Sequence, residues 1–294
     1  WDFDTDTVTD DITLYAKWEE ATIYNLGPEG SDSVTGTLYQ DGRLVIEGSG
    51  PMGDYSGYLS PSSPLYSDRA KIKDLTIKSG VETVGSNVFY GCSELSSVTF
   101  ESPSALTSIK VHAFDNCAAL QAIAIPDSVT SIEGYAFSNS GLRSITIPAQ
   151  VKELGSYVFA GCTSLETVIF AEGSMITRLP EGVFNGCTSL VSVNIPETAT
   201  EIGAWAFYKC SALPSITIPD GVESIGENAL RSCTSLTSMT IPVSVTELGE
   251  HVFSECRSLE TVTFAEGSTI TRIPGDAFSE CTSLVSVNIP ETVT

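Results

Sequence analysis

The chain has 294 residues, of which 41% are hydrophobic, so it can bury a long core. No apolar run in it approaches the roughly 20 residues that cross a membrane, and we expect no membrane insertion. Its 37 acidic residues outnumber its 14 basic residues and give a formal net charge of −23. Because such a charge repels nucleic acid and anionic membranes, we expect neither as a partner.

Residues 1–20, WDFDTDTVTDDITLYAKWEE, end in the stretch Ile12 to Trp18. That stretch resembles the tail of a Listeria–Bacteroides repeat module, a small β-domain of bacterial surface proteins. The resemblance covers only a fraction of the module. It implies that these residues are the tail of a small β-module and that the chain begins inside a larger protein.

Residues 21–70 carry a hairpin signal, since two apolar strands at 37–39 and 44–46 flank Asp41 and Gly42. Asp-Gly supplies the positive φ angles of a tight hairpin turn. A Gly/Ser/Pro-rich stretch, 48–64, then leads toward the repeats. We therefore expect a linker and an N-terminal cap, because an open solenoid end exposes both its core and a strand edge.

Residues 71–294 repeat a Phe-x-x-Cys-x-x-Leu pattern in steps of 22 to 25 residues. A period in the low twenties predicts a solenoid in which each coil forms one turn. The array divides into ten predicted strands and nine Phe-Cys turns. The core aromatic positions are Phe89, Phe114, Phe137, Phe159, Phe184, Phe207, Phe253 and Phe278, with Leu230 in place of one phenylalanine.

Within one coil, the Leu-x-x-Ile-x-Ile segment alternates with period two and predicts a β-strand. Proline follows the strand in most coils, as at Pro196 and Pro219, and ends it because proline lacks an N–H. The Val-x-x-Ile-Gly segment that follows is a candidate second short strand. The Ala-Phe-x-x-Cys segment spans about one helical turn.

Two irregularities stand out in the array. The coils after Phe100, Phe170 and Phe264 are two residues longer than their neighbours, and we expect the insertion in a loop on one flank. Residues 163–200 return nearly unchanged as 257–294, at an offset of 94 residues. Duplication of a block of coils suits a stack in which each unit touches only its neighbours.

The consensus, written here as CTSLVSVNIPETATEIGAWAFYKC (187–210), resembles the BspA-like class of bacterial leucine-rich repeats. The resemblance covers roughly residues 71–294. It implies a leucine-rich repeat solenoid with right-handed coils of 22–25 residues, one long parallel β-sheet, short helical turns and an N-terminal β-hairpin cap. It also implies an extracellular, cell-surface protein that attaches to host or bacterial surface components.

The eight cysteines occupy the same place in their coils, between Phe and Leu. An even count permits a disulfide framework, but side chains stacked in parallel along a ladder do not point at one another. Ser140 fills this place in one coil, as expected of a position that holds a small buried residue. We expect free buried thiols, with disulfide bridges and a metal site as the open alternatives.

No catalytic, cofactor or metal site is predicted. His112 and His251 both lie two residues before the core aromatic position and are separated by six coils. At roughly 4.8 Å per coil they lie about 29 Å apart, too far to share a metal or a substrate. Acidic pairs are abundant, but no pair is singled out as a glycosidase dyad.

The outward positions of the predicted strands form a candidate binding face rich in small hydroxyl side chains. The alternative is that Ser and Thr simply suit an exposed sheet, and a second candidate strip comprises Trp205, Tyr135, Tyr157 and His251 on the turn edge. The residues of the candidate face are Thr167, Ile169, Ser192, Asn194, Thr217, Ser238, Thr240, Thr261, Thr263 and Asn288.

These patterns favour a non-enzymatic repeat protein that mediates adhesion or recognition of a host or bacterial surface protein or glycan. The alternatives are a structural spacer for other modules, and a carbohydrate-binding or carbohydrate-active surface protein. The array stops at Thr294, just after a strand, so we also expect weak self-association through an uncapped end coil.

Overall fold

The computed structural model describes residues 20–56 and 63–294. The predicted β-module at 1–20 lies outside this part of the chain, apart from Glu20, and stays a prediction. Within the described ranges the only helix is a short 3-10 turn, Arg69–Lys71. The strands are, in chain order, β1 Ala21–Asn25, β2 Val34–Tyr39, β3 Arg43–Gly48, β4 Gly50–Pro51, β5 Asp74–Ile77, β6 Val81–Val84, β7 Ser97–Phe100, β8 Ser108–Ile109, β9 Ser131–Ile132, β10 Ser144–Ile147, β11 Glu153–Leu154, β12 Thr167–Phe170, β13 Arg178–Leu179, β14 Ser192–Asn194, β15 Glu201–Ile202, β16 Ser224–Ile225, β17 Ser238–Ile241, β18 Glu247–Leu248, β19 Thr261–Phe264 and β20 Ser286–Asn288.

The N-terminal cap is built as predicted around a β-hairpin. Strands β2 and β3 pair antiparallel across Asp41 and Gly42, and Gly42 has the positive φ of 95° that a tight turn requires. Strand β1 adds antiparallel to β2, while β3 pairs in parallel with β5, the first strand of the repeats. Leu44 and Ile46 on β3 are fully buried. The hairpin therefore continues the sheet of the array and covers the core of the first coil.

The main sheet runs along the stack as parallel, in-register strands, which confirms the solenoid. It comprises β5–β7, β10–β12–β14 and β17–β19–β20, and it is interrupted at 122–125 and 215–218. At the second break Pro214 has no N–H, whereas Val191 in the same place donates its N–H to the Glu166 carbonyl. At the first break Ala122 and Ala124 replace residue types that favour strands.

The Val-x-x-Ile-Gly segments form the second set of short strands that the pattern suggested. Strands β4–β6–β8–β9–β11 and β13–β15–β16–β18 make two further parallel sheets on a different side of each coil. The glycine after the isoleucine, or after a leucine as at Leu248, allows coils to approach closely. A Cβ on Gly226 would lie 2.5 Å from the Ala204 nitrogen, and one on Gly249 would lie 2.2 Å from the Glu227 nitrogen.

The Ala-Phe-x-x-Cys segments differ from the predicted helical turn. In each turn two residues adopt left-handed φ angles, such as Trp205 at 60° and Lys209 at 59°. Backbone N–H groups then point to the next coil: Trp205 to Glu227, at 2.9 Å, and Phe207 to Ala229, at 2.7 Å. A helix would direct these N–H groups to carbonyls within the same segment. The turns instead form a further ladder of hydrogen bonds between coils.

The core contains a column of stacked phenylalanine rings. Neighbouring centroids from Phe89 to Phe207 lie 5.3–5.8 Å apart, and all these rings are fully buried. Leu230 interrupts the column between Phe207 and Phe253. Ring stacking at this spacing stabilises the fold beyond the contribution of burying the rings.

All eight cysteines are free, as expected, and all but Cys281 are buried. The structure adds a role that the sequence analysis missed: each thiol after Cys92 donates a hydrogen bond to the carbonyl of the core residue in an earlier coil. Cys187 donates to Phe159 at 3.1 Å, and Cys233 donates to Phe207 at 3.2 Å. The thiols therefore link successive coils, and each gives its carbonyl a second hydrogen bond beside the one from a backbone N–H of the same turn, as at Phe207, which also accepts the Cys210 N–H at 3.0 Å.

Candidate functional site

The predicted binding face lies on the outward side of the main sheet. Its residues are exposed except Thr167, which is half-buried. Strand register places Thr167 beside Ser192 and Thr240 beside Thr263. Thr217 lies in the interrupted segment 215–218, outside any strand, but is also exposed. The structure thus brings most of the candidates into two in-register groups, one on the neighbouring strands β12 and β14 and the other on β17, β19 and β20.

Two members of the face, Asn194 and Asn288, already have a structural role. The Asn194 amide donates to the Phe170 carbonyl at 2.9 Å, and its oxygen accepts the Phe170 N–H at 2.8 Å. Asn288 makes the same pair of bonds to Phe264. Both phenylalanines end the strand before a longer coil, where the backbone ladder stops. The amides continue that ladder, so these two side chains stabilise the strand ends.

The hydroxyl side chains divide into two groups that the sequence does not distinguish. Those at the corners of the coils donate to a carbonyl of the preceding coil, as Thr130 does to Thr107 and Thr200 does to Thr177, both at 3.2 Å. Within the described ranges, the hydroxyls of the sheet face make no hydrogen bond to protein atoms. Solvent satisfies them, and a ligand can replace that solvent. The members of this second group are Thr167, Ser192, Thr217, Ser238, Thr240, Thr261 and Thr263.

Ile169 is the one large apolar side chain among these outward positions, with 47% of its surface exposed. It lies between Thr146 and Asn194 in strand register. In the duplicated block the same place is held by Thr263. An isolated exposed isoleucine is common on protein surfaces, and alone it marks no site.

The second candidate strip lies on the turns, at the position two residues before each core aromatic residue. We call this row the turn ridge. All of its members have φ between 53° and 60°, a left-handed conformation that favours Gly and Asn and is uncommon for large side chains. The turn ridge comprises Asn87, His112, Tyr135, Tyr157, Gly182, Trp205, Asn228, His251 and Asp276.

Part of the turn ridge is a continuous ring stack. The centroids of His112 and Tyr135 lie 4.8 Å apart, and those of Tyr135 and Tyr157 lie 5.1 Å apart. Tyr157 then leans over Gly182, where an added Cβ would lie 2.2 Å from its ring. The strip that looked scattered in sequence is therefore partly assembled. The stacked rings largely cover one another's faces, so a ligand could contact mainly their edges.

Trp205 differs from the stacked rings. It contacts Tyr208 at a centroid distance of 4.9 Å with the rings nearly perpendicular, at 78°. Lys209 lies 5.0 Å from the centre of the Tyr208 ring. At least one face of the half-buried indole is covered by no ring or cation of the described residues. Trp, Tyr and Arg are the residue types that most often dominate binding energy at protein interfaces.

Around Trp205, the cationic side chains are paired with other groups of this chain, whereas the nearest carboxylates are exposed. Arg231 donates to Glu255 at 2.6 Å, and this hydrogen bond lowers the pKa of the Glu255 carboxyl. Glu181 and Glu227 are exposed on either side of the Trp205 coil. Burial, followed by the 2.7 Å hydrogen bond to Glu181, raises the pKa of Tyr157 to about 12, so Tyr157 remains a neutral donor.

The two histidines are placed as the sequence indicated, in the same row and far apart along the stack. His112 is buried and pairs through Nδ1 with Asp115 at 2.8 Å. Asp115 also accepts from Asn116 at 2.8 Å and from Asn139 at 3.4 Å. This network joins neighbouring turns and satisfies a buried carboxylate. Across 20–56 and 63–294, no group of three or more His, Cys, Asp or Glu side chains is arranged to hold a metal ion.

In the described part of the chain, no helix has the length and apolar character to span a bilayer. The sequence comparison with curated proteins finds no match. Among solved structures, a leucine-rich repeat protein from Bacteroides ovatus is similar at 23% identity and a TM-score of 0.67, over 95% of this chain and 77% of that one. At that identity the likeness shows the fold alone.

A leucine-rich repeat protein from Eubacterium ventriosum is also similar, with 26% identity and a TM-score of 0.61, over 91% of this chain and 78% of that one. The family model described as the BspA type leucine rich repeat region matches residues 62–190 and 177–294, in six copies. These residues contain the whole Phe-Cys array. The chain therefore belongs to the BspA-type leucine-rich repeat family.

Proposed function

We propose that this chain is a non-enzymatic, cell-surface recognition protein that binds a host or bacterial surface protein or glycan through the exposed face of its main sheet. The observation that carries the proposal is the division of the hydroxyls. Corner hydroxyls are bonded to the preceding coil, while those of Thr167, Ser192, Thr240 and Thr263 have no partner within the described protein. These are the donors and acceptors that the fold itself does not use.

The arrangement suits many weak contacts. Parallel strands place equivalent side chains about 4.8 Å apart, so each added coil presents the same hydroxyl pair again. A ligand with its own repeat can engage several coils together, and the summed binding greatly exceeds that of one contact. The face lacks the large aromatic and arginine anchors of a compact protein interface, which favours this repetitive mode.

An extracellular position is supported by charge. A net charge of −23 keeps the extended molecule solvated and separated from anionic surfaces and nucleic acid. BspA-type membership supports the same placement.

The test uses the full chain on arrays of glycans and of host and bacterial surface proteins. We expect binding to at least one probe, and we expect Thr240→Lys with Thr263→Lys to reduce it at least about tenfold, since two charged side chains would cover the hydroxyl row. The matched control is Thr177→Lys with Thr271→Lys, an exposed pair away from the face that carries the same added charge. The control should bind as the parent does.

Three results would overturn the proposal. Equal loss in both double variants would mean that charge alone governs binding. Absence of binding to every probe would favour a spacer. Turnover of a glycan would point to a carbohydrate-active protein.

A further inference from the structure

We infer that Trp205 forms a second interaction surface, separate from the sheet face, that takes a lysine or arginine side chain from a basic segment of a partner protein. The inference begins with the turn in which Trp205 lies. Both left-handed positions of that turn hold large residues, Trp205 and Lys209, at φ of 60° and 59°. The preceding turn holds Gly182 and Gly186 in the same places, at 60° and 75°.

That neighbouring turn shows that the fold has no need of large side chains here. Gly182 and Gly186 make the same backbone bonds to the next coil, at 2.9 and 2.7 Å, that Trp205 and Lys209 make, at 2.9 Å each. Glycine adopts this conformation without the steric cost that an L side chain incurs. Strained side chains persist where they contribute something else, most often at functional sites.

The indole is placed to receive a cation. Because Tyr208 is perpendicular to it, at least one indole face is covered by no ring or cation of the described chain. Tryptophan is the aromatic side chain that attracts a cation most strongly. The stacked tyrosines of the turn ridge differ in this respect, since Tyr135 is covered by a ring on each side.

The charges around Trp205 favour a basic partner. Glu181, Glu227 and Glu250 are exposed in the row beside the turn ridge, and the Trp205 N–H is bonded to the Glu227 carbonyl. Glu181 and Glu227 each accept one hydrogen bond, from the Tyr157 hydroxyl and the Asn228 amide, which orients the carboxylates. A lysine or arginine above the indole would lie between these carboxylates.

The nearby cations do not oppose this assignment. The Lys209 ammonium lies over the Tyr208 ring, and the Arg231 guanidinium is paired with Glu255. Both are engaged by groups of this chain. The net charge of −23 accelerates encounter with a basic partner and repels an acidic peptide or a polyanionic glycan.

The experiment measures binding of labelled oligolysine and oligoarginine to the full chain at physiological salt, with oligoglutamate as the reversed-charge probe. We expect both basic peptides to bind and oligoglutamate not to bind. Trp205→Gly should weaken binding about fivefold or more, because the cation–π contact is lost while the net charge is unchanged. Its melting temperature should be close to that of the parent, since Gly182 holds the same position in the preceding turn.

The matched control is His251→Gly, on the turn ridge two coils away, which should leave binding unchanged. Glu227→Gln should weaken binding less than Trp205→Gly and should lower its dependence on salt. If Trp205→Gly folds poorly, Trp205→Asn repeats the test with the residue that occupies the ridge at Asn228. Equal binding of the parent and the Trp205 variant would mean unspecific attraction to an acidic protein and would overturn the inference. Array binding through the sheet face should be unaffected by Trp205→Gly, so the two proposals fail separately.

Discussion

Within each turn, the residue types at the core positions vary little from coil to coil, whereas those on the turn ridge vary widely. Inside, the core position is phenylalanine in every coil except the one with Leu230, and cysteine follows in every coil except the one with Ser140. Two residues earlier, at the edge of the turn, the turn ridge changes among Asn, His, Tyr, Gly, Trp and Asp, with His112, Gly182 and Asn228 buried and the other members half-buried or exposed. Backbone geometry is the same at all of these ridge positions. The fold therefore constrains the inner columns and leaves the outer row free to carry specificity.

The largest effect that we expect from the inner columns is a loss of folding stability at alkaline pH. Burial raises the pKa of the Cys92 and Cys233 thiols from 9.0 to about 12 and that of Cys162 to about 11. In the unfolded chain these thiols ionise near pH 9, while in the folded chain they stay neutral. These thiols therefore contribute no pH dependence below pH 9. Above it, each lowers stability by about 1.4 kcal/mol per pH unit, up to about pH 11 for Cys162 and about pH 12 for Cys92 and Cys233.

Urea unfolding at successive pH values from neutral to alkaline would measure this slope. Cys233→Ser retains a donor, as Ser140 does in its own coil, and should make the slope shallower by the share of one thiol. A slope that is identical in the variant would show that Cys233 is not a buried neutral thiol.

A second test removes one ring from the column. We expect Phe207→Ala to lower the free energy of unfolding by about 3–5 kcal/mol, because it leaves a cavity in mid-array between the Phe184 ring and Leu230. Phe207→Leu copies the residue found at Leu230 and should cost less than about 1.5 kcal/mol. Chemical denaturation distinguishes the two; a loss below about 1 kcal/mol for the alanine variant would place the ring outside the core.

The smallest expected effects distinguish the hydroxyls at the corners of the coils from those of the sheet face. Thr200→Ala removes the bond to the Thr177 carbonyl and should cost about 1 kcal/mol. Thr240→Ala removes a hydroxyl with no protein partner and should change stability by less than about 0.5 kcal/mol. Thermal melts of both variants beside the parent would show the difference. Equal losses would contradict the division between corner and face.

The sequence predicted the repeat, the hairpin cap and the inward columns, because period and apolar spacing report burial directly. It did not predict the turns. Left-handed backbone is signalled by Gly182 and Asn228 but concealed by Trp205 and Tyr157, whose residue types rarely adopt it. The turn was therefore expected to be helical, and the inter-coil ladder along it was missed.

The candidate face was predicted only in part for a similar reason. Alternation places Thr240 and Asn288 on the same outward side, but it does not show which polar groups have partners in the protein. The Asn288 amide is bonded to the Phe264 backbone, whereas the Thr240 hydroxyl has no bond within the described residues. That distinction depends on contacts between coils 23 to 25 residues apart, which a single strand pattern does not contain.

The near-identity of residues 163–200 and 257–294 has a consequence for how this molecule can change in length. Both copies close their strand ends in the same manner, through Asn194 and Asn288. Excision of residues 163–256 would join Cys162 to Arg257 and remove 94 residues. The new neighbours in the core would match the old ones, while on the turn ridge Asp276 would replace Gly182 beside Tyr157. The shortened rod would lose about 19 Å, at roughly 4.8 Å for each of four coils. Unequal recombination between the two copies can thus lengthen or shorten this protein by whole blocks while the core contacts between coils are kept.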